Sequence, residues 1–323
     1  MTEILRYVIQ RLIALVFTFM VILAVVFFVV RSTPGSVFQP DPNISPTAME
    51  LIIERYHLDR TVPEQFMFFM RDYLSFDFGR SLVLRPAVPV MDILAERLPI
   101  TMQLNFISNF IILPFGLIFG ISMALKKDSV YDHAASTMVM FLISVPSFVM
   151  AAFLQYFLAF RLGWFPIMLA PETTFNWTLF YSMILPILAL SFGSIVGIAR
   201  MMRAELAETM NSEFLLLAKA KGLTYRQMIW RHALRNASVP LASTFLSQVI
   251  FIMSGSIVIE MIFGVPGMAR AMIDAMQVND HPVVLAIIYF YVVIGLFMAI
   301  LMDLSFGVLD PRIRMGARQS EQP

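Results

Sequence analysis

The chain has 323 residues, of which 59% are hydrophobic and only 14% are charged, and its mean hydropathy is +0.78. A water-soluble domain of this length cannot carry so much apolar surface, so the composition predicts an integral membrane protein. The net charge of +1 provides no basic field for nucleic acid, and the absence of cysteine excludes disulfides, cysteine-ligated metals and thiol nucleophiles.

Six apolar stretches are long enough to cross a bilayer, and none of them contains Asp, Glu, Lys, Arg or His. A span takes roughly 20 apolar residues, and continuous apolar runs without strict alternation favour helices over barrel strands. The predicted spans are 12–30, 100–125, 134–160, 173–199, 236–259 and 283–302. The first is interpreted as a retained span, since its apolar run exceeds that of a signal peptide and residues 31–34 form a poor cleavage site.

The distribution of basic residues predicts the orientation of the spans. Fourteen of the 23 Lys and Arg residues fall in segments that lie inside if the N-terminus is cytoplasmic, whereas the short outside loops hold only Arg161 and Arg270. Segment 31–99 also carries basic residues, but it is long enough to cross as a small domain. Both termini are therefore predicted to be cytoplasmic.

The outside segment 31–99 is predicted to be helical. Ser45 is a candidate N-cap, and Pro63 marks the first turn of a helix that extends to residue 74. Aromatic and apolar residues recur at helical spacing along this second helix, which indicates packing against the spans or the interface more than a ligand site. They are Phe66, Phe69, Met70 and Tyr73. The segment is expected to form an external lid or collar.

The 200–235 loop is the most ordered non-membrane segment in the sequence, and it is typical of a helix, a glycine and a second helix. The first helix has strong helix formers, with a new N-cap at Asn211 or Ser212, and Gly222 is placed as a C-cap would be. Thr224 and Gln227 form a capping box for the second helix. Two interpretations follow: a basic surface helix that touches anionic headgroups, or a bent helix pair that docks into a partner.

Several classes of transporter and enzyme are disfavoured because the sequence lacks the residues that they need. Spans without ionisable groups argue against a proton-driven carrier, although a sodium site made of carbonyls and hydroxyls stays open. The four histidines are far apart in sequence and show no metal-binding spacing, and there is no phosphate-binding loop of the GxxxxGK[ST] type. No catalytic constellation is predicted, and the chain cannot itself hydrolyse ATP.

Uncharged polar residues at helical spacing form two seams in the spans. The first seam is Thr101, Asn105, Ser108 and Asn109, and the second is Ser243, Ser247, Gln248 and Ser254, widened by Thr244. Each seam either faces another helix or lines a wet translocation path. Prolines 114, 146, 186 and 240 offer kinks for a cavity or a hinge.

The 200–235 loop and a series of ordered landmarks resemble the permeases of ATP-binding-cassette importers, in the dipeptide, oligopeptide and nickel group. The loop motif runs from Ala218 to Leu223 as AKAKGL, followed by RHALRNA at 231–237. Further landmarks occur in order at 58–60, 78–81, 95–99, 144–148, 162–164, 266–268 and 309–314. The glutamate that names the EAA loop of this family is absent, because Leu216 and Leu217 stand in the places of Glu and Ala.

The resemblance implies a type I, MetI-like fold: an all-α membrane protein with six transmembrane helices. The expected segments are 1–30 with the first span, the extracytoplasmic helical region 31–99, and the permease core 100–323. It implies an ATPase-coupling surface in the 200–235 loop, with Glu213 the candidate acidic contact. The implied coupling residues are Glu213, Ala218, Ala220, Gly222, Arg226, Arg231, His232 and Arg235. Glu260, Pro266 and Gly267 are expected at an external gate or at a dock for the binding protein, against the alternative of a simple helix end and turn.

The resemblance further implies a non-catalytic subunit of the bacterial or archaeal cytoplasmic membrane. Its partners would be membrane lipid, a second homologous permease, two ATPase subunits that hold ATP and Mg²⁺, and a substrate-binding protein, with no cofactor in this chain. Peptides are the first substrate class, and nickel complexes, opines or short oligosaccharides are alternatives. A stand-alone secondary carrier or channel is the alternative of another class, and a membrane enzyme comes third.

Overall fold

The structure is a computed structural model that describes residues 2–32, 45–171, 174–241, 244 and 256–309. In these residues the regular secondary structure is helical, apart from one bridge between Arg80 and Pro89. Four helices are long and apolar enough to span a bilayer, and a bent helix pair adds a fifth candidate. The predicted all-α membrane class is therefore confirmed.

Thirteen α-helices can be numbered along the described part of the chain. They are α1 Thr2–Ser32, α2 Pro46–Tyr56, α3 Val62–Leu74, α4 Val90–Leu125, α5 Val130–Ser144, α6 Ser147–Leu154, α7 Trp177–Thr209, α8 Glu213–Ala220, α9 Tyr225–Gln227, α10 Leu234–Ala237, α11 Ile257–Ile262, α12 Met268–Gln277 and α13 His281–Leu309. Gln155–Arg161 and Met228–Ala233 are π-helical. Most of the fifth predicted span, 236–259, lies outside the described residues.

Four of the predicted spans coincide with long helices, but the third is broken. The spans at 12–30, 100–125, 173–199 and 283–302 correspond to α1, α4, α7 and α13. Residues 134–160 instead form α5 and α6, which meet at an angle of 99°. Pro146 explains the break: a proline disfavours the helical conformation of the residue before it, and Val145 is extended, with φ −83° and ψ 118°. Pro114 and Pro186, by contrast, lie inside continuous helices.

The chain divides into two compact units. The first consists of Met1–Pro99 with Pro266–Ala299, and the second of Ile100–Val265 with Ile300–Pro323. The boundary at residue 99 coincides with the end of the predicted extracytoplasmic segment. The segments predicted from the sequence follow the expected membrane topology, whereas these units reflect which residues pack together. Residues 266–299 therefore belong to the first unit.

The core of the first unit is an aromatic cluster built on α3. The Phe69 ring lies 5.1 Å from the Phe27 ring of α1, and the Tyr73 ring lies 5.6 Å from the Tyr289 ring of α13. Met70 and Phe78 are buried in the same cluster. Burial raises the pKa of Tyr73 well above its ordinary value. The aromatic face of α3 therefore packs against two candidate spans, as its spacing predicted.

A buried carboxylate organises the turn that precedes α4 in the first unit. Asp280, which is fully buried, accepts a hydrogen bond of 2.5 Å from the Ser81 hydroxyl. The backbone N–H groups of Leu82, Val83 and Leu84 donate to the same carboxylate at 2.9 to 3.3 Å. Consecutive N–H groups that converge on an anion satisfy a charge that would be costly to bury alone. This contact gives the serine of the Phe-Gly-Arg-Ser landmark a structural role.

In the second unit, two glycines allow α4 and α7 to cross closely. A Cβ atom on Gly120 would lie 2.6 Å from the Ala199 carbonyl oxygen and from the Met202 Cβ. A Cβ on Gly116 would lie 2.7 Å from the Ile198 side chain. Small residues four positions apart are the usual means by which membrane helices bring their backbones together. The crossing places α4 directly against the part of α7 that leads into the 200–235 loop.

Candidate functional site

The 200–235 loop begins as a direct continuation of α7. This helix does not end at residue 199 but extends to Thr209, and a short turn then leads into α8 at Glu213. Ser212 is the N-cap of α8, which confirms one of the two predicted capping positions. A displacement of α8 would therefore be transmitted to α7, which is one continuous helix from Trp177 to Thr209.

The junction between the two helices of the loop is built as its sequence predicts. Gly222 has a φ of +82°, a conformation that glycine adopts without the steric cost met by other residues. The Thr224 N–H donates to the Gln227 side chain at 3.0 Å, and the Gln227 N–H donates to the Thr224 hydroxyl at 3.3 Å. These reciprocal bonds form the predicted capping box, and the second helix then runs through a π-helical turn to Ala237.

One face of the loop packs against the second unit's own core. Leu215 of α8 is buried with Ile229 and Ala233 of the second helix. They contact a cluster that includes Met202 and Leu206 of α7, both with no exposed surface. Ala218, one of the proposed coupling residues, is also buried, so its side chain is covered by this chain.

The opposite face of the loop is exposed and unusually apolar. Leu216, Leu217 and Trp230 are 64%, 57% and 62% exposed, and Phe214 and Tyr225 are exposed as well. Several large apolar side chains that stay exposed on one short loop are typical of a protein interface. The two leucines that replace the family's Glu and Ala are therefore on the outer surface of the loop.

The other predicted coupling residues are accessible on the same loop. Glu213, Ala220, Gly222, Arg226, Arg231 and Arg235 are exposed, and His232 is half-buried. The three arginines form no ion pair with any residue that the structure describes. Exposed guanidinium groups on a loop that also exposes apolar side chains are suited to pairing with carboxylates of a partner protein.

The first polar seam is largely occupied by contacts within the second unit. Ser108 is buried, and its hydroxyl lies 2.7 Å from that of Ser191 on α7. Asn105 and Asn109 are half-buried, and each donates to the backbone carbonyl four residues earlier. Ser108 therefore faces another helix, whereas the asparagines keep partly accessible amide groups. The second seam, Ser243, Ser247, Gln248 and Ser254, lies outside the described residues, and only Thr244 of its neighbours is described.

Two residues predicted for different roles meet in the structure. Thr101, a candidate path residue, donates a hydrogen bond of 3.0 Å to Glu260, a candidate gate residue, and both are fully buried. Glu260 lies on α11, which the backbone fixes at its end through a bond from the Val265 N–H to the Glu260 carbonyl. Pro266 and Gly267 belong to the first unit, where Gly267 is the N-cap of α12.

The end of α11 is joined to the segment that follows the broken helix. The Gln155 amide donates to the carbonyls of Ile167 and Ile262, at 2.9 and 2.8 Å. The Leu169 N–H donates to the Phe263 carbonyl at 2.8 Å. Gln155 therefore lies beside the end of α11, the helix that carries Glu260.

The sequence interpretation missed an ion pair between α5 and α7. Asp132 accepts two hydrogen bonds from Arg203, at 2.5 and 2.6 Å. The two residues are 71 positions apart, so spacing could not have joined them. The available signal was local: Asp132 stands three residues after the N-cap Ser129, at the edge of an apolar run where an unpaired charge is costly.

Among the residues that the structure describes, no three His, Asp or Glu side chains are grouped so that they could hold a metal ion. The described part of the second unit instead combines exposed apolar side chains on the 200–235 loop, the continuous helix α7, a bent helix pair and a buried polar contact.

Comparisons with known proteins agree with these features. The sequence model of the family described as "Binding-protein-dependent transport system inner membrane component" matches residues 116–315. The dipeptide transport system permease DppB of Bacillus subtilis is 34% identical over 96% of this chain and 98% of its own length. DppB of Lactococcus lactis is 31% identical, and the oligopeptide permease OppB of Escherichia coli K12 is 30% identical, each over 96% of this chain and 99% of its own length.

Solved structures give the fold. A chain of the MetNI methionine ABC transporter in an inward-facing conformation aligns with a TM-score of 0.54 at 16% identity, over 68% of this chain and 97% of its own length. An amino acid ABC transporter aligns with a TM-score of 0.50 at 19% identity, over 66% of this chain and 92% of its own length. The chain has a MetI-like permease fold and belongs to the family of binding-protein-dependent transport system inner membrane components, the permeases of ABC importers.

Proposed function

We propose that this chain is the permease subunit of an ABC importer that moves dipeptides or oligopeptides across the cytoplasmic membrane of a bacterium or archaeon. One observation carries the proposal: relatives named as dipeptide and oligopeptide permeases match 96% of this chain and 98 to 99% of their own lengths. The match therefore includes both the 31–99 segment and the permease core.

In the proposed assembly the chain spans the membrane six times, with both termini in the cytoplasm and segment 31–99 outside. It pairs with a second, homologous permease, two cytoplasmic ATPases and an external binding protein that delivers the peptide. The chain is not catalytic, since ATP and Mg²⁺ are held by the ATPases. The distribution of basic residues supports this orientation, because it places the arginine-rich 200–235 loop on the cytoplasmic side.

The 200–235 loop is the proposed contact with one ATPase. Its exposed leucines and Trp230 would enter an apolar groove, and the surrounding arginines would pair with acidic groups on the edge of that groove. ATP binding closes the ATPase pair and moves the loop, and the loop moves α7. The permease pair then changes from inward-facing to outward-facing, and hydrolysis resets it.

Residues of α4 and α11 are the proposed path and gate. Asn105 and Asn109 keep amide groups that could contact a peptide backbone, and the second polar seam, Ser243 to Ser254, would face the same path. The buried Thr101–Glu260 contact holds the gate shut, and Pro266 and Gly267 would lie at the dock of the binding protein. Nickel complexes, opines and short oligosaccharides are alternative substrates, because the binding protein selects the cargo.

Reconstitution into liposomes tests the proposal. The complete complex should take up a labelled dipeptide or tripeptide only with ATP and the loaded binding protein, and nickel, opine or oligosaccharide uptake should stay at background. Peptide uptake by the purified chain alone, without ATPases, would identify a stand-alone carrier and contradict the proposal. A control with an ATPase that binds but does not hydrolyse ATP should abolish repeated uptake.

A further inference from the structure

The ion pair between Asp132 and Arg203 is a rigid connection between two helices of the second unit. The Arg203 Nε donates to Asp132 Oδ1 at 2.5 Å, and its Nη2 donates to Oδ2 at 2.6 Å. The Asp132 side chain is fully buried, and that of Arg203 is 27% exposed. Two parallel bonds fix the orientation of the groups as well as their separation, which a single ionic contact does not.

The remaining capacity of the Asp132 carboxylate is used within the turn from α4 to α5. The Asp128 N–H donates to Oδ2 at 3.1 Å, and the Ser136 hydroxyl donates to Oδ1 at 3.4 Å. The Asp132 N–H in turn donates to the hydroxyl of the N-cap Ser129 at 3.2 Å. Through Asp132, Arg203 is therefore linked to the first turn of α5 and to the backbone before it.

On α7, Arg203 lies in the segment against which α8 and the second helix of the 200–235 loop pack. It follows Met202 directly and precedes Leu206 by one turn, and both of these side chains are fully buried against Leu215 and the second helix of the loop. At its other end, α5 leads to Val145 and the 99° bend. A movement of the loop thus reaches α7 through apolar packing, and it reaches α5 through Asp132.

We propose that Asp132 and Arg203 form a positioning pair that makes α5 and α7 move as one body when the 200–235 loop moves. This inference rests on the proposed function, in which a partner ATPase drives the loop. Neither residue contacts substrate or nucleotide. When the ion pair is removed, α7 still moves with the ATPase, but α5 and α6 no longer move with α7. ATP is then hydrolysed, but less peptide is moved for each ATP.

Neutral variants of each residue test the pair in the complete, reconstituted complex. Asp132→Asn and Arg203→Met should lower the peptide taken up per ATP hydrolysed at least tenfold, with subunit assembly unchanged. Matched controls are Asp128→Asn and Arg200→Met, which change exposed residues of the same types nearby and should stay within twofold. An unchanged ratio in the pair variants would overturn the inference. Absence of ATP-driven peptide uptake by the unaltered complex would instead contradict the proposed function.

Replacing the ion pair by a covalent cross-link distinguishes a loss of coupling from a loss of protein stability. The chain has no cysteine, so the double variant Asp132→Cys with Arg203→Cys can be joined selectively by a bifunctional thiol reagent, in partners whose cysteines are replaced by serine. This variant leaves no uncompensated buried charge, so it should fold even where the single variants do not. Cross-linking should restore at least half of the normal uptake per ATP. A cross-linked complex that is more heat-stable yet still uncoupled, or that is blocked, would overturn the inference.

Discussion

Replacing Asp280 by alanine should open the turn at residues 81–84 without unfolding the spans. The carboxylate accepts bonds from one hydroxyl and three backbone N–H groups. Hydrogen bonds to a charged group contribute about 1.5–3 kcal/mol each when one partner is removed. Because the four donors lose one shared acceptor and are released together, their contributions are not additive. We expect the turn to lose about 3–4 kcal/mol of local stability.

Amide hydrogen exchange measures this loss directly. A change of about 3–4 kcal/mol corresponds to exchange at residues 82–84 that is faster by two to three orders of magnitude, since 1.4 kcal/mol is about tenfold in an equilibrium constant. Asp280→Asn, which keeps one oxygen acceptor, should give an intermediate acceleration of about tenfold. Peptides from the middle of α7 should exchange at the same rate in all variants.

The control for Asp280 is an aspartate of the same unit that is not buried. Asp274 on α12 is partly exposed and lies 3.7 Å from Arg270, a surface ion pair worth about 0–1 kcal/mol. Asp274→Asn should leave the exchange of residues 82–84 unchanged. Protection of these amides within threefold of the unaltered protein in Asp280→Ala would refute the assignment of the carboxylate as their acceptor.

Three further predictions, two of them with a comparison variant, have defined outcomes. Gly222→Arg, at a φ of +82°, should insert normally yet uncouple ATP hydrolysis from uptake, and normal uptake would contradict this; Gly222→Asn should retain most activity. Gly120→Leu should lower the free energy of unfolding by about 1–3 kcal/mol, because the new side chain is forced against the Ala199 carbonyl. The measurement is the melting temperature in detergent, which should fall. Gly193→Leu, which has open space around the added side chain, should leave the melting temperature unchanged. Thr224→Ala should cost about 1 kcal/mol of helix stability, and unchanged amide exchange at 225–228 would argue against the cap.

Local features of the site could be predicted from the sequence because their causes lie within a few residues. The capping box at Thr224 needs only Gln227 three positions later, and the turn at Gly222 needs only a missing side chain. Ser212 was likewise predicted from its position before α8, although its hydroxyl donates to the Thr209 carbonyl and does not cap the helix. The aromatic face of α3 was visible as a helical period, although its partners on α1 and α13 were not.

Features that depend on the meeting of distant segments could not be predicted. Ser81 and Asp280 are 199 positions apart, and neither shows a local pattern that names the other. The Thr101–Glu260 contact joins a seam residue to a helix-end residue that spacing treated separately. Pro146 was visible as a kink, but a proline alone does not specify the angle of 99° at which the two helices meet. Gly116 and Gly120 carried a readable signal, since their spacing is that of close helix crossings.

The central claim is that a partner ATPase holds and moves the 200–235 loop. A single cysteine at Leu217, carrying a photoreactive thiol probe, tests it in this cysteine-free chain, with Met67→Cys in segment 31–99 as the exposed control. In a complex that takes up peptide, the probe at residue 217 should cross-link to the ATPase and the probe at residue 67 should not. If the cysteine at residue 217 instead reacts freely with a hydrophilic maleimide and yields no ATPase adduct while ATP-driven uptake continues, the account is contradicted.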